Sequence, residues 1–173
     1  MRSPSKLYVM LKPPLPALQR VCGCRSSHGL DESYPVDRLH STLLRLGDGA
    51  AWSTAAIDRL RVALASLWFE PFAVAFDQVE GRLLRGRQGM PGAGLFHRAL
   101  RSLLSVYGIE LPAHDFWLHL SLAYRGIALA SPRKIDPIGW LAEDFRLIRS
   151  VEGHGHEELG RWPLIQRQYP LLL

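Results

Sequence analysis

The chain has 173 residues, of which 47% are hydrophobic and 21% charged; this composition excludes an intrinsically disordered protein and is ample for one packed core. Its net charge of +5 at pH 7 favours partners that carry phosphate or other negative charge. No run of about 20 apolar residues is present, and the first 11 residues are too few and too polar for a signal peptide, so we expect a cytoplasmic protein with no membrane partner.

The first predicted elements are a strand over residues 6–12, which ends where Pro13 and Pro14 supply no amide donors, and a short helix over 15–21. Residues 23–37 are polar, with scattered Gly, Ser and Pro, and predict a loop. Cys22 and Cys24 are separated by one glycine, which favours two reduced thiols over a strained disulfide. Together with His28 they could instead bind a metal, but a fourth ligand would have to come from elsewhere.

Residues 39–47 read Leu-His-Ser-Thr-Leu-Leu-Arg-Leu-Gly and predict a strand with two different faces. Side chains alternate along a strand, so His40 and Thr42 share one face. The opposite face carries Leu39, Ser41 and Leu43. A strand packed on helices would bury that second face.

The middle of the chain predicts two helices and a hairpin. Ser53 is placed to cap a helix whose apolar residues recur at 57, 60, 64 and 67. Apolar residues at 72, 74 and 76 predict a strand, and the glycines at 81 and 86 predict a hairpin into a second strand that contains Leu83 and Leu84. Apolar residues at 96, 100, 103 and 107 predict a second main helix that ends at Gly108.

A second strand with a histidine and a hydroxyl follows. Residues 118–126 read Leu-His-Leu-Ser-Leu-Ala-Tyr-Arg-Gly, and the predicted strand runs from 116 to 124 with His119 and Ser121 on one face. Residues 131–137 predict a basic loop bounded by prolines. Residues 142–151 and 156–162 predict two strands joined by a turn at 153–155.

The two histidine segments share the pattern Leu-His-x-Ser/Thr-Leu-x-x-x-Gly and lie 79 residues apart. Helices and strands alternate in two comparable parts, residues 6–77 and 83–151, followed by the hairpin strand 156–162. We therefore predict one α+β domain, residues 1–173, with two pseudo-symmetric lobes. Each lobe would be an antiparallel sheet with helices outside, and the active-site cleft would lie between the sheets. We expect the chain to be a monomer.

The paired motifs resemble the signature of the 2H phosphoesterases, the group that contains the 2′-5′ RNA ligase-like proteins and cyclic nucleotide phosphodiesterases. His40 with Thr42 matches the family's H-x-T, and His119 with Ser121 matches H-x-S. The opening strand and its two prolines, residues 7–14, also resemble the family's first strand and turn. The resemblance implies a substrate with a 2′,3′-cyclic phosphate or a 2′-5′ linkage, on RNA or a nucleotide, and a product with a 2′-phosphate.

Opening a cyclic phosphodiester needs a base to deprotonate water and an acid to protonate the leaving oxygen. His40 and His119 suit these roles, because imidazole populates both protonation states near neutral pH. Thr42 and Ser121 can donate hydrogen bonds to the phosphate oxygens. Two histidines provide an acid and a base without a metal, so we predict a metal-independent phosphodiesterase with no cofactor. Reverse 2′-5′ ligation is possible by microscopic reversibility.

Four further residues are candidates for substrate binding. Arg45 and Arg125 follow the two motifs, and an arginine near the phosphate would stabilise its negative charge. Tyr124 precedes Arg125, and Trp117 shares the parity of His119 and could stack on a base, although a core role would also explain it.

Two other functions remain open. A non-catalytic RNA-binding module could keep the same fold and charge, and a phosphodiesterase could act on a different small cyclic phosphoester. The remaining histidines have plainer interpretations. We predict that His97 and His114 are half-buried side chains with a structural hydrogen bond, and that His154 and His156 belong to a solvated turn, with metal binding through H-x-H as the alternative.

Overall fold

The computed structural model of the chain describes residues 4–111 and 115–165. Within these ranges it contains eight strands, three α-helices and two 3₁₀ turns. The strands are β1 Ser5–Leu11, β2 Ser41–Asp48, β3 Phe72–Glu80, β4 Leu83–Arg85, β5 His119–Ser121, β6 Arg133–Ala142, β7 Asp144–Val151 and β8 Gly155–Pro163. The helices are α1 Leu15–Ser27, α2 Thr54–Ala65 and α3 Pro91–Val106, and the 3₁₀ turns are Val36–Arg38 and Gly49–Ala51.

The eight strands form one sheet in the order β6-β3-β4-β5-β2-β1-β7-β8, with every neighbouring pair antiparallel. The predicted α+β class is confirmed, but the structure has one sheet where we predicted two. Four strands lie on each side of the junction between β5 and β2, and the described residues form one pair there, Ser41 opposite Leu120. The site therefore lies where two halves of one sheet join, because this pair connects the strands that carry the two motifs.

Each half of the sheet takes strands from distant parts of the chain. β7 lies beside β1, and β3 lies beside β6. Three aromatic rings show how strongly the sheet curves: Phe72 of β3 and Phe145 of β7 both pack against Phe96 of α3, with ring centroids 5.3 and 5.2 Å away. Four strands separate β3 from β7, and neighbouring strands are about 4.8 Å apart, so a flat sheet could not bring both rings to one side chain.

The helices form largely where the sequence predicts them. Ser53 caps α2, its hydroxyl oxygen accepting a hydrogen bond from the Ala56 amide at 3.2 Å. Of the predicted apolar stripe, Ile57, Leu60 and Leu64 are buried. In α3 the buried stripe includes Phe96, Leu100 and Leu104, whereas Tyr107, which we predicted to belong to it, is exposed. Gly108 follows with a positive φ of 72° and ends the helix, as predicted.

Two segments predicted as loops are partly regular. α1 continues to Ser27 because Arg25 is buried and donates a hydrogen bond to the Tyr34 carbonyl at 2.9 Å. Residues 133–137, predicted as part of a basic loop, begin the edge strand β6. Pro137 is tolerated there because it lies at an irregularity in the β3–β6 register, on a strand that needs donors on one side only.

The second motif strand is shorter than predicted. β5 ends at Ser121, and Leu122 donates its amide to the Arg82 carbonyl at 2.8 Å. Gly126 then adopts a positive φ of 76°, and its carbonyl accepts a hydrogen bond from the Arg82 guanidinium. In the part of the chain that the structure describes, no helix is both long and apolar enough to cross a membrane.

Candidate active site

The two histidine motifs lie side by side at β5 and β2, the central strands of the sheet: β5 begins at His119, and β2 begins directly after His40. Because these strands are antiparallel and Ser41 pairs with Leu120, His40 is next to Ser121 and Thr42 is next to His119. The four side chains point to the same face, since they alternate with the paired residues. The sheet thus places each imidazole next to the hydroxyl of the other motif.

The opposite face of both motifs is core. Exposure is at most 3% for Leu39, Ser41, Leu43, Leu118, Leu120 and Leu122, whereas His40, Thr42, His119 and Ser121 are partly exposed. The predicted division into a buried face and a histidine face is confirmed. Burial of the apolar face specifies the register, because a shift by one residue would turn the histidines into the core.

Both imidazoles are anchored in the same way. Nδ1 of His40 lies 2.6 Å from the Arg38 carbonyl oxygen, and Nδ1 of His119 lies 3.0 Å from the Trp117 carbonyl oxygen. A carbonyl can only accept, so Nδ1 carries the proton in each ring. In both motifs the anchoring carbonyl belongs to the residue two positions before the histidine. Each Nε2 is therefore free to take up a proton, and in the doubly protonated ring it can release one.

His40 is shifted towards its neutral form. Burial, together with the positive charge of Lys12 and the neighbouring His119, lowers its pKa to about 4, although the hydrogen bond to the Arg38 carbonyl works in the opposite direction. At pH 7 the His40 ring is consequently neutral. Its free Nε2 can accept a proton from a nucleophile.

A cavity of about 380 Å³ opens beside the two motifs. Thr42, Arg45, Trp117 and His119 line it, together with Leu43, Arg101, Leu111, Asp115 and Phe116. The structure thus brings two of the predicted binding residues, Arg45 and Trp117, to the motifs. Trp117 is 49% exposed, which excludes the core role that its sequence position would also have allowed. The volume falls in the range of about 300–1,000 Å³ typical of small-molecule sites.

The other two predicted binding residues, Tyr124 and Arg125, do not line this cavity. Tyr124 is exposed and packs on Tyr34, with ring centroids 4.5 Å apart. Burial raises the pKa of Tyr8, the charge of Arg45 lowers it and Tyr124 raises it further. Tyr124 and Arg45 are therefore both neighbours of Tyr8. Arg125 is exposed and contributes to lowering the pKa of Asp31, after the hydrogen bonds from Ser33. It does not line the cavity.

Sequence reasoning missed His156, which contacts His40, and Lys12, which contacts His156. The ring of His156, on β8, packs edge-on against the His40 ring, with centroids 5.2 Å apart at 68°. Lys12 directly follows β1, and its Nζ lies 3.2 Å from His156 Nδ1. The predicted solvated turn holds for His154, which is exposed, and is wrong for His156, which is half-buried. No sequence signal near His156 would have indicated this contact, because its partner Lys12 is 144 residues away.

The other described cysteines and histidines do not line the cavity. Cys22 and Cys24 are free thiols, and His28 bonds through Nδ1 to the Cys24 carbonyl oxygen at 2.8 Å. Across the two described ranges, no group of three or more His, Cys, Asp or Glu side chains is arranged to hold a metal ion. His97 is buried and stacks on Phe116 with centroids 4.1 Å apart, and His114 lies outside the described residues.

Comparison with known proteins shows that solved structures share the fold of this chain. No family model matches the chain, and no curated protein matches its sequence. Among solved structures, E. coli LigT complexed with 3′-AMP superposes with a TM-score of 0.74 and 23% identity, over 94% of this chain and 99% of that one. A structure described as a phosphoesterase gives a TM-score of 0.73 and 21% identity, over 94% and 100%. A protein of Thermus thermophilus gives 0.67 and 16%, over 92% and 97%. The chain therefore has a LigT-like fold, which agrees with the resemblance that its paired histidine motifs indicated.

Proposed function

We propose that the protein is a metal-independent phosphodiesterase that hydrolyses 2′,3′-cyclic phosphate ends of RNA or nucleotides. One observation carries this proposal: His40 and His119 project from adjacent central strands, each anchored through Nδ1 to a backbone carbonyl and each beside a hydroxyl. Two imidazoles on one face, one with an unprotonated Nε2 and one with a protonated Nε2, provide a base and an acid for one phosphorus centre. Holding them on strands restrains their spacing more than loops would.

His40 suits the role of base, because its lowered pKa leaves Nε2 unprotonated at pH 7. In the proposed reaction, Nε2 of His40 removes a proton from water as the water oxygen bonds to phosphorus. The bond between phosphorus and the 3′ oxygen breaks, and His119, which enters this step protonated on both ring nitrogens, donates its Nε2 proton to that oxygen. The products are a 2′-phosphate and a 3′-hydroxyl, and the two histidines exchange protonation states. The negative charge of the bound phosphate raises the pKa of His40 again and so strengthens it as a base.

Thr42 and Ser121 would donate hydrogen bonds to the phosphate oxygens that gain charge in the transition state. Arg45 would supply positive charge from the cavity wall, and Trp117 would offer an exposed ring on which a base could stack. The net charge of +5 agrees with a phosphate-bearing substrate. The similar E. coli LigT has been crystallised with 3′-AMP, with phosphate and with ATP, which agrees with a nucleotide substrate here.

The first test is hydrolysis of a 2′,3′-cyclic nucleotide and of a short RNA with a cyclic phosphate end, both in EDTA. We expect turnover of at least one substrate and a 2′-phosphate product, identified by chromatography against 2′- and 3′-phosphate standards. Activity that disappears in EDTA and returns with a divalent ion would contradict the metal-free mechanism. An inert protein that binds RNA tightly, with strong dependence on salt, would instead support an RNA-binding module.

The hydroxyl groups can be tested without removing either histidine. Thr42→Val and Ser121→Ala are each expected to lower kcat about tenfold, because a hydrogen bond to a charged group is worth roughly 1.5 kcal/mol. Steady-state kinetics on the better substrate measures this loss. Thr54→Val is a matched control, since Thr54 is an exposed residue at the start of α2. Unchanged kcat in both motif variants would show that the hydroxyls do not stabilise the transition state.

A further inference from the structure

One 3₁₀ turn holds both Lys12 and His40. The turn Val36–Arg38 presents consecutive carbonyl oxygens: that of Asp37 accepts a hydrogen bond from Lys12 Nζ at 2.6 Å, and that of Arg38 accepts one from His40 Nδ1, also at 2.6 Å. The Lys12 ammonium and the His40 imidazole are thus hydrogen-bonded to adjacent residues of the same turn. The conformation of this turn determines the position of both.

His156 links the other sides of these two groups. Its Nδ1 is 3.2 Å from Lys12 Nζ, and its ring packs edge-on against His40. An ammonium group has donors and no acceptor, so His156 Nδ1 must accept, and the ring is neutral with its proton on Nε2. Lys12, His156 and His40 thus form a connected cluster, which we term the Lys12 cluster.

The Lys12 cluster carries one positive charge at neutral pH. Burial and the neighbouring Arg146 lower the pKa of Lys12 to about 8, which leaves it mostly protonated at pH 7. Burial and Lys12 itself lower the pKa of His156 to about 4, close to the value for His40. Protonating either imidazole would place a second positive charge beside the first.

Other charged groups face the Lys12 cluster from the surrounding elements. Asp37 and Arg38 lie on the 3₁₀ turn, Arg146 on β7 and Glu158 on β8, and all four act on Lys12. His119 on β5 also faces His40. The two carboxylates favour the charged form of Lys12, so they help to retain the cation next to His40.

We propose that Lys12 and His156 are positioning residues for His40: Lys12 adds to the effect of burial in keeping the His40 ring neutral, and His156 holds the Lys12 ammonium in place. This inference rests on the proposed function, in which His40 is the base. A base that resists protonation stays active further into the acidic range than an ordinary histidine. Neither residue touches the reacting atoms in this role.

The test follows the His40 ring resonances by NMR during a pH titration, which needs no turnover. Lys12→Met is expected to move the His40 titration upward by about one pH unit, comparable to the spread that protein environments impose on histidine. Lys12→Arg retains the charge and should restore most of the original value. His156→Phe keeps the edge-on ring but removes the acceptor for Lys12, so a smaller shift in the same direction is expected. In each variant the acidic limb of the pH profile of kcat/KM should shift in the same direction as the His40 titration.

Two substitutions serve as controls. Lys6→Met removes a positive charge from β1, the strand that Lys12 directly follows, and His154→Phe changes the exposed histidine of the turn before β8. Neither should move the His40 titration. An unchanged His40 titration in both Lys12→Met and Lys12→Gln, with wild-type chemical shifts elsewhere, would overturn the inference. Should Lys12→Met not fold, Lys12→Gln decides, since its amide can still donate to the Asp37 carbonyl.

The two proposals can fail separately. A wild-type protein that hydrolyses no cyclic phosphate, but whose His40 titration moves in Lys12→Met, would refute the proposed function and support the effect of Lys12 on His40. Turnover by the wild type, together with a His40 titration that is unchanged in Lys12→Met and Lys12→Gln, would support the proposed function and refute the positioning role.

Discussion

Replacing either His40 or His119 by alanine is expected to lower kcat/KM for a 2′,3′-cyclic nucleotide by about a thousandfold, within the range of general acid or base catalysis. Each variant removes one of the two Nε2 atoms that the proposed mechanism requires. The carbonyl groups of Arg38 and Trp117, which anchor the rings, remain in place. The measurement is initial rates in EDTA at several pH values for both variants and the wild type.

The double variant sharpens this test. Because the two histidines act in one proton-transfer cycle, we expect His40→Ala with His119→Ala to be little worse than either single variant. His154→Ala is the matched control, since this exposed histidine bonds to the Glu152 carbonyl in its own turn and should keep wild-type rates. A single variant that retains more than a tenth of the wild-type rate would exclude its histidine as the acid or the base.

The second large effect concerns stability. Phe96→Ala is expected to lower the free energy of unfolding by about 3–5 kcal/mol, the usual cost of removing a fully buried phenylalanine. Phe96 is 0% exposed, and the rings of Phe69, Phe72 and Phe145 surround it at centroid distances of 4.9 to 5.3 Å. Two of these rings belong to different halves of the sheet, so the cavity would open between them. Urea unfolding followed by circular dichroism measures the loss.

Val106→Ala provides the control on the same helix. Val106 is 83% exposed at the end of α3, so its truncation should change the free energy of unfolding by no more than about 0.5 kcal/mol. Similar values for Phe96→Ala and Val106→Ala would show that the aromatic cluster does not join the halves of the sheet. Phe96→Leu should fall between the two, because it removes less volume from the same place.

Local patterns predicted most elements well. Ser53 ahead of a helical apolar stripe indicated α2, and alternation at Phe72, Val74 and Phe76 indicated β3, since capping and burial act within a few residues. The predictions failed where distant partners decide. Residues 133–137 belong to an edge strand because they pair with β3. The chain after β5 is held by a hydrogen bond between Gly126 and Arg82, which lies 44 residues earlier.

The sequence by itself determined the two motifs and the face on which their histidines and hydroxyls lie, because side-chain alternation and burial of leucine need no long-range information. The tertiary structure alone decided that the motifs lie on adjacent strands of one curved sheet, with His40 beside Ser121 and Thr42 beside His119. It also decided that His156 contacts both Lys12 and His40. Strand order and sheet curvature arise from packing across the whole chain, and no local pattern near residue 12 or 156 encodes that contact.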